Sequence, residues 1–345
     1  MTDSVQSKPI ISSAMLPGVL ADEVLEDAEA GAEDSAEGEW RQVSVPAASH
    51  GERLDRALAG IVPEFSRSYL QQLIAAAAVE LNGLALTKAS AKVKAGDVLR
   101  IELKPTPQSQ AFKPEVMALD VVFEDEYLLV INKPAGLVVH PAPGNWSGTL
   151  LNGLLARDPQ AALLPRAGIV HRLDKDTSGL MVVARKRQAM DSLVSMIAER
   201  SVHREYLALA HGAWQGPAKR QVDAPMGRDP RNRLRMAVVD LEKNAGKTAS
   251  TGIALLQSEG AFCLVKCKLQ TGRTHQIRVH MASIGHPLVA DEVYGGKPAA
   301  GLDRQALHAC RLAFAHPATG QPLEFKSPLP ADLAAAAASL GLRYN

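Results

Sequence analysis

The sequence predicts an α+β protein in which a small unit precedes a larger one. Runs of period two, such as residues 98–103 and 262–269, mark half-buried strands. Runs of helical period, such as Leu70, Leu73, Ile74 and Ala77 at i, i+3, i+4 and i+7, mark amphipathic helices. Strands and helices do not alternate regularly, which disfavours a doubly wound parallel sheet.

The 345 residues allow two or three domains, and a 46% hydrophobic content supports a sizeable core. Aromatics make up only 4%, so Leu, Val and Ala must fill most of it. Residues 1–40 carry ten acids and a single base, Lys8. The rest of the chain then holds 37 bases and 27 acids, a net charge of +10. That composition predicts an acidic disordered tail over 1–40 and a basic body that favours a polyanion such as nucleic acid.

Three cysteines without a CxxC pair suit a reduced, cytoplasmic protein. Period two places Cys263 and Cys267 on one face with Val265, so they read as core residues rather than metal ligands. No signal-peptide pattern and no apolar run of about 18 residues is present, so no membrane partner is expected.

The small unit is expected over 41–104. Residues 52–58 start a helix, and Ser66 N-caps a second over 67–78. Asn82-Gly83 between the apolar residues Leu81 and Leu84 signals a hairpin, and Gly96-Asp97 turns into the strand 98–103. The fragments Arg53-Leu54-Asp55-Arg56, Ser66-Arg67-Ser68, Val79–Gly83 and Gly96-Asp97, in this order, resemble the S4 domain, a small αα-β RNA-binding module. The resemblance implies RNA contacts from Arg53, Arg56 and Arg67. The Pro-rich stretch 105–115 reads as a linker.

The larger unit is expected over 116–345. Residues 119–124 and 127–131 read as a hairpin, with a strand resuming at 137–140. A helix follows at 149–156, capped by Ser147 or Thr149. Residues 180–184 form a buried strand and 186–200 an amphipathic helix. Strands are expected at 205–210, 251–257 and 262–269, and helices at 274–284 and 332–340. Residues 317–330 look turn-rich.

Three polar runs can carry chemistry. The first, His171-Arg172-Leu173-Asp174-Lys175-Asp176-Thr177-Ser178, lies between two apolar segments. Either carboxylate can serve as nucleophile, base or metal ligand, and Arg172 would keep Asp174 ionised. The second, residues 271–281, opens a helix and offers Arg273, His275, Arg278 and His280 to phosphates. His275 and His280 are spaced poorly for a shared metal. The third leads into a strand at Tyr206, whose ring can stack on a base.

Residues 166–180, 204–206 and 271–280 together resemble the RluA-type pseudouridine synthases, with support from runs at 132–136, 285–288, 291–296 and 304–309. The resemblance covers about 230 residues. It implies a mixed, largely antiparallel catalytic sheet and conversion of uridine to pseudouridine in RNA, with 23S ribosomal RNA or the assembling large subunit as partner. It implies no cofactor and no metal, and a monomer. On it, Asp174 is the catalytic aspartate, Tyr206 stacks on the flipped base and Arg273 pairs with Asp174. Arg172 fills the gap left by the base, Leu307 forms an apolar wall, and His171, His275 and Arg278 join the substrate site. Attack at C1′, attack at C6 and elimination to a glycal all remain open.

Two other classes fit less well. An aspartate-nucleophile phosphotransferase needs an apolar strand immediately before the first aspartate, and His171-Arg172 interrupts it. A non-catalytic RNA-binding protein would be expected to have lost a matched active-site residue, and none is missing.

Overall fold

The computed structural model describes residues 39–63, 65, 67–103 and 111–344. The acidic tail as far as residue 38, the Ser66 cap and the first part of the linker lie outside the described residues.

The N-terminal unit is built from β1 (Glu39–Ser44), α1 (Leu54–Ile61), α2 (Arg67–Ala75), β2 (Val79–Leu81), β3 (Leu84–Ala85) and β4 (Val98–Leu103). Its sheet is antiparallel in the order β1-β4-β2-β3. β1 starts ahead of the boundary expected at 41, because Trp40 pairs with Glu102 and lies under Arg100, 4.1 Å from the ring centre. α2 ends before the expected Ala78. Ala77 turns left-handed (φ +56°) and the Ala78 N–H returns to the Leu73 carbonyl at 2.9 Å, which swings the chain into β2. Asn82 and Gly83 both have positive φ, as a two-residue hairpin turn requires. Leu54, Leu58, Leu70, Ile74, Leu99 and Ile101 are fully buried and give this unit its own core.

The larger unit carries β5 (Val121–Glu124), β6 (Leu128–Lys133), α3 (Leu150–Arg157), β7 (Ser178–Ala184), α4 (Arg187–Ala198), β8 (His203–His211), β9 (Lys219–Asp223), β10 (Met226–Arg228), β11 (Met236–Val238), β12 (Ser250–Glu259), β13 (Phe262–Leu269), α5 (Gln276–Ser283), β14 (Leu307–Ala315), β15 (Pro322–Lys326) and α6 (Ala331–Ser339). Its main sheet runs β5-β6-β7-β14-β8-β13-β12-β9, with β15 added to β14. Among the described strands, β7 and β14 form the one parallel pair. The sheet is therefore mixed and largely antiparallel.

Strand periodicity divides this unit's core. On one face Met181, Val183, Tyr206, Ala208, Cys263, Val265 and Cys267 pack with Ile277 and Met281 of α5. On the other, Leu180 and Val182 pack against α4, while Leu207, Leu209 and Leu264 pack against α6. The three cysteines are buried and unpaired.

Two expectations fail. Residues 137–140 are not a strand, because the carbonyls of Val138 and Val139 accept the Leu150 and Leu151 N–H groups that open α3. Of the two cap candidates there, Thr149 is the N-cap, and its N–H donates to Asn152 Oδ1 at 3.0 Å. The stretch 317–330 contains β15, an edge strand whose first residue is Pro322, a position that needs no ladder N–H. Among the described residues no helix is long and apolar enough to cross a membrane.

Candidate active site

Asp174 sits in the loop 170–177 that feeds β7. The loop is held by its backbone. The Asp174 carbonyl accepts the Thr177 N–H at 3.1 Å. The Lys175 carbonyl accepts the Gly136 N–H at 3.0 Å and Lys133 Nζ at 2.8 Å. The Asp176 carbonyl accepts Arg304 Nη1 at 2.9 Å. Lys133 is 1% exposed and also donates to the carbonyls of Pro134 and Leu137, so all three ammonium protons are used. Burial pushes its amine down to about 7, against the charges of Asp174 and Asp176. Gly179, the second residue of β7, has φ +117°, and any Cβ there would lie 2.3 Å from the Ala309 carbonyl oxygen. Only glycine lets β7 approach β14 this closely.

The Asp174 side chain is 16% exposed, and Arg278 Nη1 donates to its Oδ2 at 3.2 Å. His275 Nε2 is 4.0 Å from Oδ1. Burial raises the Asp174 carboxyl, but the charges of His275, Arg278 and Arg172 outweigh it and hold the group below the usual carboxylate range. The geometry corrects one expectation. Arg278, not Arg273, is the hydrogen-bonded arginine of Asp174. Arg273 precedes α5 and its Nε donates to the Thr248 carbonyl at 3.3 Å. Arg278 lies inside α5, on the turn that faces the loop.

The start of α5 explains this aim. His275, its N-cap, is left-handed (φ +54°). Gln276 Oε1 accepts the Arg273 N–H and the Thr271 hydroxyl, while Gln276 Nε2 donates to Thr251 Oγ1 at 2.8 Å. The helix thus begins later than the expected Thr274. His280 is consumed structurally, bonding Thr251 Oγ1 and the Ala224 carbonyl.

Tyr206 lies on β8, flanked by β13 and β14, so it belongs to the sheet centre rather than to an edge. It is 4% exposed and shares a packed cluster with Leu307, Ile277 and Leu173. Burial pushes its phenol up to about 12, with Arg204 opposing and Asp174 adding to the rise. Leu307 packs in the same cluster as Tyr206. His171 is tied to β7. Its Nε2 accepts the Val182 N–H at 3.1 Å, and burial, with help from Arg204, lowers its pKa to about 3. It is a neutral support for β7.

Residues outside the three polar runs complete the cluster. Asp291 takes Arg278 in a fork, Nε–Oδ2 2.7 Å and Nη2–Oδ1 2.9 Å. The Tyr294 ring stands 5.0 Å from the Arg278 guanidinium, and its hydroxyl bonds His275 Nδ1 at 2.8 Å. That hydroxyl also accepts the Met236 N–H of β11. The β10–β11 hairpin carries Arg228, Arg231, Arg233 and Arg235, and the density of arginine over 228–235 is the signal that would have found it. Among the described residues no group of three His, Cys, Asp or Glu is placed to hold a metal ion.

In the N-terminal unit Arg53 and Arg67 converge on the buried Asp55, at 3.0 and 2.8 Å, and Gln71 adds a third donor at 2.6 Å. Arg56 pairs with Glu52 at 3.3 Å. The side chains of Arg53, Arg56 and Arg67 remain 45%, 72% and 52% exposed.

Comparison with known proteins agrees with this architecture. A family model described as RNA pseudouridylate synthase matches residues 127–283. Ribosomal large subunit pseudouridine synthase D of Neisseria meningitidis serogroup A is 48% identical over 302 residues, covering 84% of this chain and 79% of that protein. The protein of the same name from Xylella fastidiosa is 46% identical over 320 residues, covering 89% and 94%. The solved structure of human RNA Pseudouridylate Synthase Domain Containing 1 superposes with a TM-score of 0.50 at 29% identity, over 63% of this chain and 85% of that one. On this extent of identity, the chain belongs to the RNA pseudouridylate synthase family.

Proposed function

We propose that this enzyme isomerises specific uridines to pseudouridine in large-subunit ribosomal RNA, the substrate named for its relatives. The observation that carries the reading is Asp174, a largely buried carboxylate kept ionised by Arg278, His275 and Arg172. Tyr206 and Leu307 stand in the adjoining wall.

The chemistry follows from these groups. The target uridine leaves its stack at a cost of a few kcal/mol. Arg172 offsets part of this by filling the gap, and the uracil stacks on Tyr206. Asp174 attacks the ribose C1′ or the uracil C6, or assists elimination. The bond from C1′ to N1 breaks, the uracil turns, and C1′ bonds to C5. The C5 proton then leaves and N1 gains one, so the product is an isomer of the substrate. Arg278 keeps Asp174 charged and fixes its orientation.

The N-terminal unit acts as an S4-like RNA-binding module. Its half-exposed arginines, Arg53 and Arg67, together with Arg56, offer positive charge to phosphates. The protein works as a cytoplasmic monomer on naked ribosomal RNA or the assembling subunit.

The test is a pseudouridine map of ribosomal RNA from cells lacking the protein. Wild type should restore the missing sites and Asp174→Asn should not. An unchanged map in the deletion strain would remove ribosomal RNA as the substrate.

A further inference from the structure

Arg278 is shared. Its Nε and Nη2 form a fork with Asp291, whose side chain is fully buried, and only Nη1 reaches Asp174. Two carboxylates thus take opposite sides of one guanidinium that is itself 7% exposed. A bidentate fork fixes the plane of an arginine as well as its position. The loop that presents Asp291 is tied down, since its carbonyl accepts the N–H groups of Tyr294 at 3.1 Å and Gly296 at 2.8 Å. The Tyr294 ring sets a second limit on the guanidinium.

We propose that Asp291 is a positioning residue for the isomerisation, which forces Arg278 to meet Asp174 end-on with one N–H and leaves the Asp174 Oδ1 oxygen for the reacting atom. Asp291 is the carboxylate that holds the fork side of Arg278, and without it the Tyr294 ring alone would not fix the in-plane direction of the guanidinium. The arginine would turn its two parallel N–H groups onto Asp174 and occupy both oxygens. Asp291 also divides the positive charge, so Asp174 stays ionised without being fully neutralised. Among the described residues, the charged and titratable groups around Asp174 include Arg172, Lys175 and Asp176 on its own loop, Lys133 at the end of β6, Tyr206 on β8, His275 and Arg278 at α5, and Asp291 with Tyr294 in the loop after α5.

This inference rests on the proposed isomerisation for its kinetic arm, and a second arm needs no substrate. In Asp291→Asn the undivided charge of Arg278 falls on Asp174. A carboxyl-carbon NMR titration should then find Asp174 protonating at lower pH than in wild type, by on the order of half a unit. In the kinetic arm, kcat on a ribosomal RNA transcript should fall on the order of tenfold to a hundredfold, by analogy with the outer partners that orient metal ligands. KM should hold and the acid limb should move to lower pH. Asp291→Glu keeps the charge but misplaces the fork, so it should lower kcat with the limb at its wild-type position. An unshifted Asp174 titration in Asp291→Asn, or loss of activity only in proportion to lost folded protein, would overturn the proposal. If Asp291→Asn does not fold, wild-type kcat in Asp291→Glu would overturn it instead. Absence of pseudouridine with the wild-type enzyme would sink the isomerisation, and the titration would still decide the role of Asp291.

Discussion

Arg278 Nη1 meets Asp174 Oδ2 at 3.2 Å across 104 positions of chain. The contact joins the loop before β7 to the helix after β13, and it picks one arginine out of a run that contains two. Burial works against the charge on Arg278, yet the Asp291 hydrogen bonds and the Asp174 charge raise its pKa overall, so it is a permanent cation.

The first prediction separates the two arginines. Arg278→Lys loses the fork and the end-on N–H, and should lower kcat by on the order of 10²-fold or more, as for other preorganised charge partners. Arg273→Lys should keep kcat within about threefold, because its guanidinium lies on the Thr248 carbonyl rather than on Asp174. Single-turnover kinetics on a saturating transcript would measure both. A larger kcat loss in Arg273→Lys than in Arg278→Lys would restore the pairing expected from the sequence.

The confusion of these residues shows where sequence reasoning stops. Asp174 and Tyr206 become candidates because polar runs stand beside apolar strands, and their proposed roles rest on the resemblance of those runs. The partner of Asp174 depends on where α5 begins, and that is decided by the left-handed His275 and the side chain of Gln276. Neither leaves a periodic signal. The fold class and most strands follow from alternation, whereas β15 is hidden by prolines on both sides. Lys133 reads as a polar turn residue, yet its strand continues through it and the carbonyls around it supply three acceptors. Asp291 lies in a run whose spacing carries no known function without the fold.

Tyr206 tests the stacking role. Tyr206→Phe keeps the ring and should bind RNA within about threefold of wild type. Tyr206→Leu keeps bulk in the packed wall but loses the flat face, and should weaken binding by about 5-fold to 150-fold, equivalent to the 1–3 kcal/mol of base stacking. Fluorescence anisotropy with a labelled stem-loop would report both constants. Equal affinities for the two variants would count against stacking.

Gly179→Ala probes the junction behind the loop. The new methyl would meet the Ala309 oxygen at 2.3 Å and nitrogen at 2.6 Å, both backbone atoms of β14. Neither can step aside without opening the parallel pair. The substitution should cost about 3 kcal/mol, the upper end for overpacking, with left-handed strain included. Turnover should fall as the loop holding Asp174 shifts. Urea unfolding gives the first quantity and kcat the second. Wild-type stability would show that β7 and β14 can separate freely.

Asp55 makes the last prediction, in the N-terminal unit. Its carboxylate is fully buried and accepts N–H groups from Arg53, Arg67 and Gln71. The Arg53 hydrogen bond is the largest influence on its pKa. Burial opposes it, and Gln71 and Arg67 add to the lowering, so the carboxyl titrates far below its ordinary 3.8. Asp55→Asn preserves the shape but turns an acceptor into an amide whose donors face guanidinium donors. Because both arginines are half exposed, the cost should be about 2 kcal/mol rather than the larger penalty of a fully buried pair. A group with a depressed folded-state pKa contributes stability above its unfolded value and loses it as pH falls through the folded one. The gap between wild type and Asp55→Asn should therefore be constant from neutral pH down to about the ordinary 3.8 and narrow only below it. Urea midpoints across that range would measure it. A gap that closed between pH values of roughly 7 and 5 would mean that another group, titrating near a histidine pKa, holds Arg53 and Arg67 in place.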